Sequence, residues 1–177
     1  MKSVGEGLAA RGVTVVTFDF PYMERKRGGA PDPAPVLEEA FATQWRAVAD
    51  AFGSSSALFA GGKSMGGRIA SQVAAKRGFD PVPKGLVFFG YPLHPPGKPA
   101  QRRDRHLGDI TTPMLFLQGT RDPFGSREEL SDLTARLPGA ALEIIEGGDH
   151  SLTSRSASSK LLDRVIELAA NWVKSRA

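Results

Sequence analysis

One short segment of the sequence has the residues of a nucleophilic site. It reads GKSMG over residues 62–66, with Ser64 at its centre and a glycine two positions to either side. A serine exposed on a sharp turn from a strand into a helix requires this pattern, because larger flanking side chains would collide with the turn. Such a serine attacks an acyl carbon once a base takes its proton. We therefore predict that Ser64 is a nucleophile on such a turn.

The same segment also resembles the end of a phosphate-binding loop. That loop requires the pattern G-x-x-x-x-G-K-[ST], and its first glycine would fall on Ala57. Ala57 lies in a predicted strand, and the next predicted strand does not end in a metal-binding aspartate. These differences disfavour nucleotide binding. A second alternative is a glycine-rich turn whose serine only begins a helix.

The base and the acid that a serine nucleophile needs have candidates later in the chain. Asp122 follows an apolar run at residues 114–118, and His150 follows another at residues 142–146. Both residues thus come at the carboxyl ends of predicted strands, the edge where open α/β sheets place their sites. The order Ser64, Asp122, His150 is also the chain order expected with this turn. His150 would accept the Ser64 proton, and Asp122 would hold the imidazole in one tautomer.

Each of these partners has an alternative. Asp122 precedes a proline and could cap a turn, and His150 could be a histidine of a surface loop. Asp149 is an alternative acid, although adjacent side chains point apart. His94 and His106 both precede Asp122 and would give the wrong chain order.

Short apolar runs bounded by glycine or proline alternate with helical patterns along the chain. The predicted strands are residues 13–20, 57–60, 85–91, 114–118 and 142–146, and the predicted helices are 4–11, 35–52, 64–77, 127–137 and 159–175. Continuous apolar runs indicate strands that are covered on both faces. The alternation predicts one α/β domain over residues 1–177, with a doubly wound, mainly parallel sheet of about five strands and helices on both faces. Residues 28–35 and 92–105 are predicted loops.

The composition limits the classes of function. Of the 177 residues, 41% are hydrophobic and 24% are charged, which indicates a soluble globular domain. A net charge of +4 without a basic stripe argues against nucleic-acid binding. The lack of cysteine excludes a thiol nucleophile and a Cys-ligated metal, and we expect no metal or organic cofactor. Apolar runs too short for a membrane span, and the lack of a signal-peptide core, predict a cytoplasmic protein.

Several segments of the chain resemble a known family. They are FDFPY at residues 18–22, GGKSMGGR at 61–68, GYPLHPPGK at 90–98, QGTRD at 118–122 and GDHS at 148–151. The resemblance is to the α/β-hydrolase superfamily, in particular the small, lidless, dienelactone-hydrolase-like bacterial group related to the testis-expressed hydrolase-like proteins. It implies that Ser64, Asp122 and His150 form a catalytic triad. It also implies that the Met65 N–H is one donor of the oxyanion hole.

Candidates for substrate binding come from two further segments. The resemblance implies that the loop at residues 91–98 lies near the site, with Pro92, Leu93 and His94 lining the acyl pocket. The alternative is a rigid, proline-rich loop that only packs. Tyr22, which follows the first predicted strand, is another candidate for the cleft. The basic segment at residues 101–106 would either steer an anionic substrate or be a solvated loop.

The chain departs from the family pattern at its beginning. The resemblance implies a sheet with additional early strands, one of which ends in a His-Gly loop that supplies the second donor of the oxyanion hole. In this sequence Met1 falls inside the helix that would follow that loop. Loss of one such donor costs about 100- to 1000-fold in rate. We therefore expect either a record that begins too late or a weakened hydrolase that self-associates through an open sheet edge.

Together these observations predict a serine hydrolase that cleaves an ester or related acyl bond of a small molecule through an acyl-enzyme intermediate. The absence of a long insertion between residues 90 and 114 predicts an open site without a cap domain. The alternative is a non-catalytic binding or scaffold protein of the same fold, because the loop with the second oxyanion donor is missing. Acyl transfer to an acceptor other than water would use the same residues.

Overall fold

A four-stranded parallel sheet lies at the centre of this computed structural model, which describes residues 1–25, 30–53, 55–154 and 158–177. The strands are β1 (Phe59–Lys63), β2 (Gly85–Phe89), β3 (Met114–Gly119) and β4 (Ala140–Ile145), in that order across the sheet. The helices are α1 (Lys2–Ala9), α2 (Pro21–Glu24), α3 (Ala34–Phe52), α4 (Met65–Ala75), α5 (Arg127–Thr134), α6 (Ser158–Lys174) and a 3₁₀ helix (Arg105–Asp109). Residues 28 and 29 of the predicted 28–35 loop lie outside the described residues.

The two central strands supply two hydrophobic cores, one on each face of the sheet. Every residue of β2 and β3 is buried. Because successive side chains of a strand point to opposite faces, Phe88 and Phe116 pack into the core beneath α3, α4 and α5. Phe89 and Leu117 pack into the core beneath α1 and α6. The predicted fold class, a doubly wound parallel sheet with helices on both faces, is therefore confirmed.

The first predicted strand, residues 13–20, does not join the sheet. Among the described residues, no ladder hydrogen bond links this segment to β1, so the sheet has four strands where the sequence predicts about five. The segment nonetheless lies between the two helical layers. Val13 and Val15 pack against the core beneath α1 and α6, whereas Phe18 and Phe20 pack into the opposite core. The apolar run thus identifies a segment that packs against both cores, although only Phe20 is buried and Val16 is 54% exposed. A strand also needs a neighbour to pair with.

The free edge of β1 follows from this arrangement. Within the described part of the chain, β1 pairs with β2 on one side only. Self-association through that edge stays a prediction. The pattern of the sequence predicts neither α2 nor the 3₁₀ helix, since four and five residues are too few to show a helical period. No helix in the described residues combines the length and the apolar character that a membrane crossing requires.

Candidate active site

Ser64 lies on a strained turn between β1 and α4. Its backbone has a φ of 51° and a ψ of −118°, a combination that residues with a side chain rarely adopt. A Cβ atom on Gly62 would come within 2.9 Å of the Gly66 carbonyl carbon, and one on Gly67 within 2.7 Å of the Gly62 carbonyl oxygen. The close approach of β1 and α4 therefore requires Gly62 and Gly67. Gly66 has open space at its Cβ position, so the expected steric reason does not apply there.

The structure brings the three predicted triad residues together. Ser64 follows β1, Asp122 follows β3 and His150 follows β4, all at the carboxyl edge of the parallel sheet. Nε2 of His150 lies 2.8 Å from Ser64 Oγ, and its Nδ1 lies 2.8 Å from Asp122 Oδ2. The Asp122 side chain is fully buried, while 22% of the His150 side chain is exposed. Because a buried carboxylate can only accept, Nδ1 carries the proton and the Nε2 lone pair faces Ser64.

Two residues that the sequence analysis does not single out support this arrangement. Gln118, fully buried at the end of β3, donates from Nε2 to Asp122 Oδ2 at 2.8 Å. The Phe124 N–H donates to Asp122 Oδ1 at 2.9 Å, and the Phe124 ring lies 4.2 Å from the centre of the His150 imidazole. Hydrogen bonds therefore hold both oxygens of the Asp122 carboxylate, and the Phe124 ring packs against one face of the His150 imidazole. A polar residue in the otherwise apolar run 114–118 is the sequence signal that could have identified Gln118.

The structure also bears on the alternative interpretations of Asp149 as the acid and of Asp122 as a turn cap. The Asp149 side chain is exposed, and its Oδ1 accepts from the Ser151 and Thr153 N–H groups at 2.7 and 3.2 Å. Asp149 therefore closes its own turn. Asp122 does cap a turn through the Phe124 N–H, and it contacts His150 as well. Asp122 therefore caps the turn with one carboxylate oxygen and contacts His150 with the other.

Met65 is the first residue of α4. The first N–H groups of a helix have no acceptor within it, and the N-terminal end of the helix carries partial positive charge. The Met65 N–H is therefore free to donate to an oxygen that gains negative charge beside Ser64.

A cavity of about 270 Å³ opens beside Ser64. Its wall consists of Pro31, Asp32, Ala34, Leu37, Ser64, Met65, Arg68, Pro92, Arg103 and Phe124. Of the four residues predicted to bind substrate, Pro92 alone appears in this wall. Tyr22 instead stacks on Phe20, with ring centres 6.4 Å apart.

Leu93 and His94 have packing partners away from the cavity. Leu93 is fully buried in the core. His94 is 6% exposed, and its ring nitrogens lie 2.8 Å from the Pro95 carbonyl oxygen and 3.1 Å from Glu129 Oε2. Burial opposes the charge on His94, but these two hydrogen bonds outweigh it and raise the pKa of the imidazole. These contacts favour the packing role for this part of the loop.

Metal binding would need several ligating side chains in one place. Within residues 1–25, 30–53, 55–154 and 158–177, no group of three His, Cys, Asp or Glu side chains is placed to hold an ion.

Comparisons with known proteins agree with the fold. The sequence profile of a family described as "Alpha/beta hydrolase domain" matches residues 1–176. Three solved structures illustrate the similarity. The esterase domain of a Rhodothermus marinus protein is 17% identical, with a TM-score of 0.70 over 98% of this chain and 79% of that one. A monoacylglycerol lipase from Paleococcus ferrophilus is 15% identical, with a TM-score of 0.73 over 98% of this chain and 88% of that one.

A dienelactone hydrolase from Anabaena variabilis is 20% identical, with a TM-score of 0.70 over 99% of this chain and 78% of that one. At these identities the structural matches show the fold alone, whereas the family profile covers nearly the whole sequence. The chain therefore belongs to the α/β-hydrolase superfamily.

Proposed function

We propose that this protein is a serine hydrolase that cleaves an ester or related acyl bond through an acyl-enzyme intermediate. The observation that carries the proposal is the continuous hydrogen-bonded chain from Ser64 Oγ through His150 to Asp122, with both contacts at 2.8 Å. The hydrolase fold and its esterase, lipase and dienelactone hydrolase neighbours support the same class of bond.

The geometry suggests how each residue would act. His150 Nε2 would take the Ser64 proton as Oγ forms a bond to the substrate carbonyl carbon, and the carbonyl oxygen would become the oxyanion beside the Met65 N–H. Asp122 would stabilise the imidazolium that results. His150 would then return the proton to the departing alcohol as the carbonyl re-forms, which leaves an acyl group on Ser64. Water, activated by His150 in the same way, would release the acid.

Labelling with a fluorophosphonate, read by intact mass, tests this function directly. The wild-type chain is expected to gain one label, and Ser64→Ala is expected to gain none. Ser131→Ala is a matched control, since Ser131 is exposed on α5 and does not line the cavity beside Ser64. It should label like the wild type.

A second serine makes the location of the label informative. Ser71 Oγ lies 2.8 Å from His106 Nε2, but Ser71 is fully buried and donates to the Arg68 carbonyl oxygen. Peptide mapping should therefore place the label on Ser64 and not on Ser71. A folded wild-type chain without any label would refute the hydrolase and favour a binding protein of the same fold.

A further inference from the structure

Two arginines without carboxylate partners face the cavity beside Ser64. Arg68 and Arg103 both line this cavity and are both half-buried. Across the described residues, neither guanidinium has an ion pair or a side-chain hydrogen bond. The neighbouring Arg102, by contrast, pairs with both Asp104 and Glu129. Asp104 and Glu129 are therefore already paired, and Glu38, the carboxylate whose charge acts on Arg68, pairs with Lys76. The two cavity arginines have donors to spare.

The main chains of these arginines are anchored to one buried cluster. Arg68 lies on α4, one helical turn after Ser64, and its carbonyl oxygen accepts from Ser71 Oγ at 2.7 Å. The Tyr91 hydroxyl lies 3.1 Å from Ser71 Oγ and 3.4 Å from the Arg103 carbonyl oxygen. The Arg103 N–H donates to the carbonyl oxygen of the buried Leu93 at 2.8 Å. The shared contacts hold the two arginines in one place relative to each other, as a binding site requires.

The charges in the cavity favour an anion. Burial, and secondly the charge of Arg103, lower the pKa of Arg68, yet an arginine stays protonated at neutral pH. Asp32 is the one carboxylate in the wall among the described residues. Arg25 binds its Oδ1 at 2.9 Å, and its Oδ2 is buried without a hydrogen-bond partner, so the wall carries one negative charge against the two positive charges of Arg68 and Arg103. Two like charges near each other without a counter-ion are unfavourable, and a bound anion would relieve that repulsion.

We propose that the substrate carries a carboxylate, which Arg68 and Arg103 bind while the ester carbonyl lies at Ser64. This inference rests on the proposed hydrolase function and names the substrate class of the same site. One helical turn, about 5.4 Å, separates Ser64 from Arg68 along α4, so a few carbon atoms would join the carboxylate to the ester. A cavity of about 270 Å³ suits such small molecules. Half-esters of short dicarboxylic acids fit this description.

Matched charged and neutral esters test the substrate class. The probes are mono-4-nitrophenyl glutarate and its methyl ester, which differ in charge and share the leaving group. We expect the wild type to prefer the charged ester in kcat/KM by at least about tenfold, since hydrogen bonds to charged groups are worth about 1.5–3 kcal/mol. Arg68→Gln and Arg103→Gln should each reduce that preference by about 10- to 100-fold, with little change on the neutral ester.

Arg105→Gln is the control for long-range attraction. Arg105 is exposed on the 3₁₀ helix, belongs to the same basic segment and does not line the cavity. It should keep the preference of the wild type. Equal rates on the two esters, or an equal loss in Arg105→Gln, would overturn the proposal. 4-Acetoxybenzoate and its methyl ester, assayed in the same way, show whether a carboxylate in the leaving group is recognised instead of one in the acyl part.

A binding measurement separates this proposal from the hydrolase itself. Calorimetry with Ser64→Ala should detect monomethyl glutarate and not dimethyl glutarate, and Arg68→Gln in that background should abolish the difference. Equal or absent binding of both would refute the carboxylate site even if Ser64 is labelled. If the protein binds monomethyl glutarate selectively but shows neither labelling nor turnover, the carboxylate-binding site is supported and the hydrolase function is refuted.

Discussion

The carboxamide of Gln118 is predicted to be the most costly polar group to remove near the site. Gln118 is fully buried and makes hydrogen bonds in three directions. Nε2 donates to Asp122 Oδ2 at 2.8 Å and to the Gly125 carbonyl oxygen at 3.2 Å. Oε1 accepts from the Tyr91 N–H at 2.9 Å. Gln118→Met keeps the approximate size of the side chain and removes all three contacts.

The size of the effect follows from what those partners lose. The Tyr91 N–H and the Gly125 carbonyl would be left buried and unpaired, at about 1–3 kcal/mol each, and the bond to the Asp122 carboxylate is worth about 1.5–3 kcal/mol. Burial of the apolar methionine side chain offsets part of this loss of free energy. We therefore expect the free energy of unfolding to fall by about 3–5 kcal/mol. That is a large share of the total of about 5–15 kcal/mol for an ordinary domain.

Gln72→Met is the matched control for this experiment. Gln72 lies on α4, and its Oε1 is buried without a hydrogen-bond partner among the described residues. The same substitution there should change the free energy of unfolding by less than about 1 kcal/mol or stabilise the protein. Urea unfolding gives both values, and the rate of fluorophosphonate labelling reports the effect on His150. If Gln118→Met lowers the free energy of unfolding no more than Gln72→Met does, the Gln118 carboxamide does not hold Asp122 in place.

Three further outcomes follow from the contacts of the site. Asp122→Asn should lower the rate of labelling by about 10,000-fold while the fold persists, because the tautomer of His150 is no longer held; circular dichroism and labelling kinetics check this. Gly62→Ala should destabilise the protein by about 2 kcal/mol or more, whereas Gly66→Ala should be tolerated, and thermal unfolding of the pair decides. The raised pKa of His94 makes its bond to Glu129 stabilising below the unfolded-state pKa and progressively weaker as pH rises through the folded-state pKa. His94→Gln should therefore cost more stability in urea at about pH 5.5 than at about pH 8.5, and equal costs would contradict this linkage.

The strands that position the site were predictable because their signals are local. Short apolar runs that stop at glycine place the ends of β3 and β4 to within one residue, whereas β1 continues through Gly61 and Gly62 to Lys63, three residues beyond its predicted end. Parallel pairing brings the three ends to one edge. Ser64, Asp122 and His150 each follow such a run. Their residue types, spacing and order therefore indicate a shared location before any distance is known.

Other features depend on contacts between residues far apart in the chain. The segment at residues 13–20 has the pattern of a strand, but pairing depends on a neighbour that the pattern does not contain. Leu93 and His94 have side chains that suit either a pocket or a core, and only the position of α5 with Glu129 makes His94 a packing residue.

The amino-acid sequence by itself determines about where the four paired strands and the long helices lie, which residue types follow the strands and in what order. Only the tertiary structure brings His150 into contact with both Ser64 and Asp122 and places Arg68 and Arg103 in one cavity. The physical reason is that a turn or a periodic face depends on residues within a few positions, whereas a cavity and its charge depend on side chains from several elements packed together.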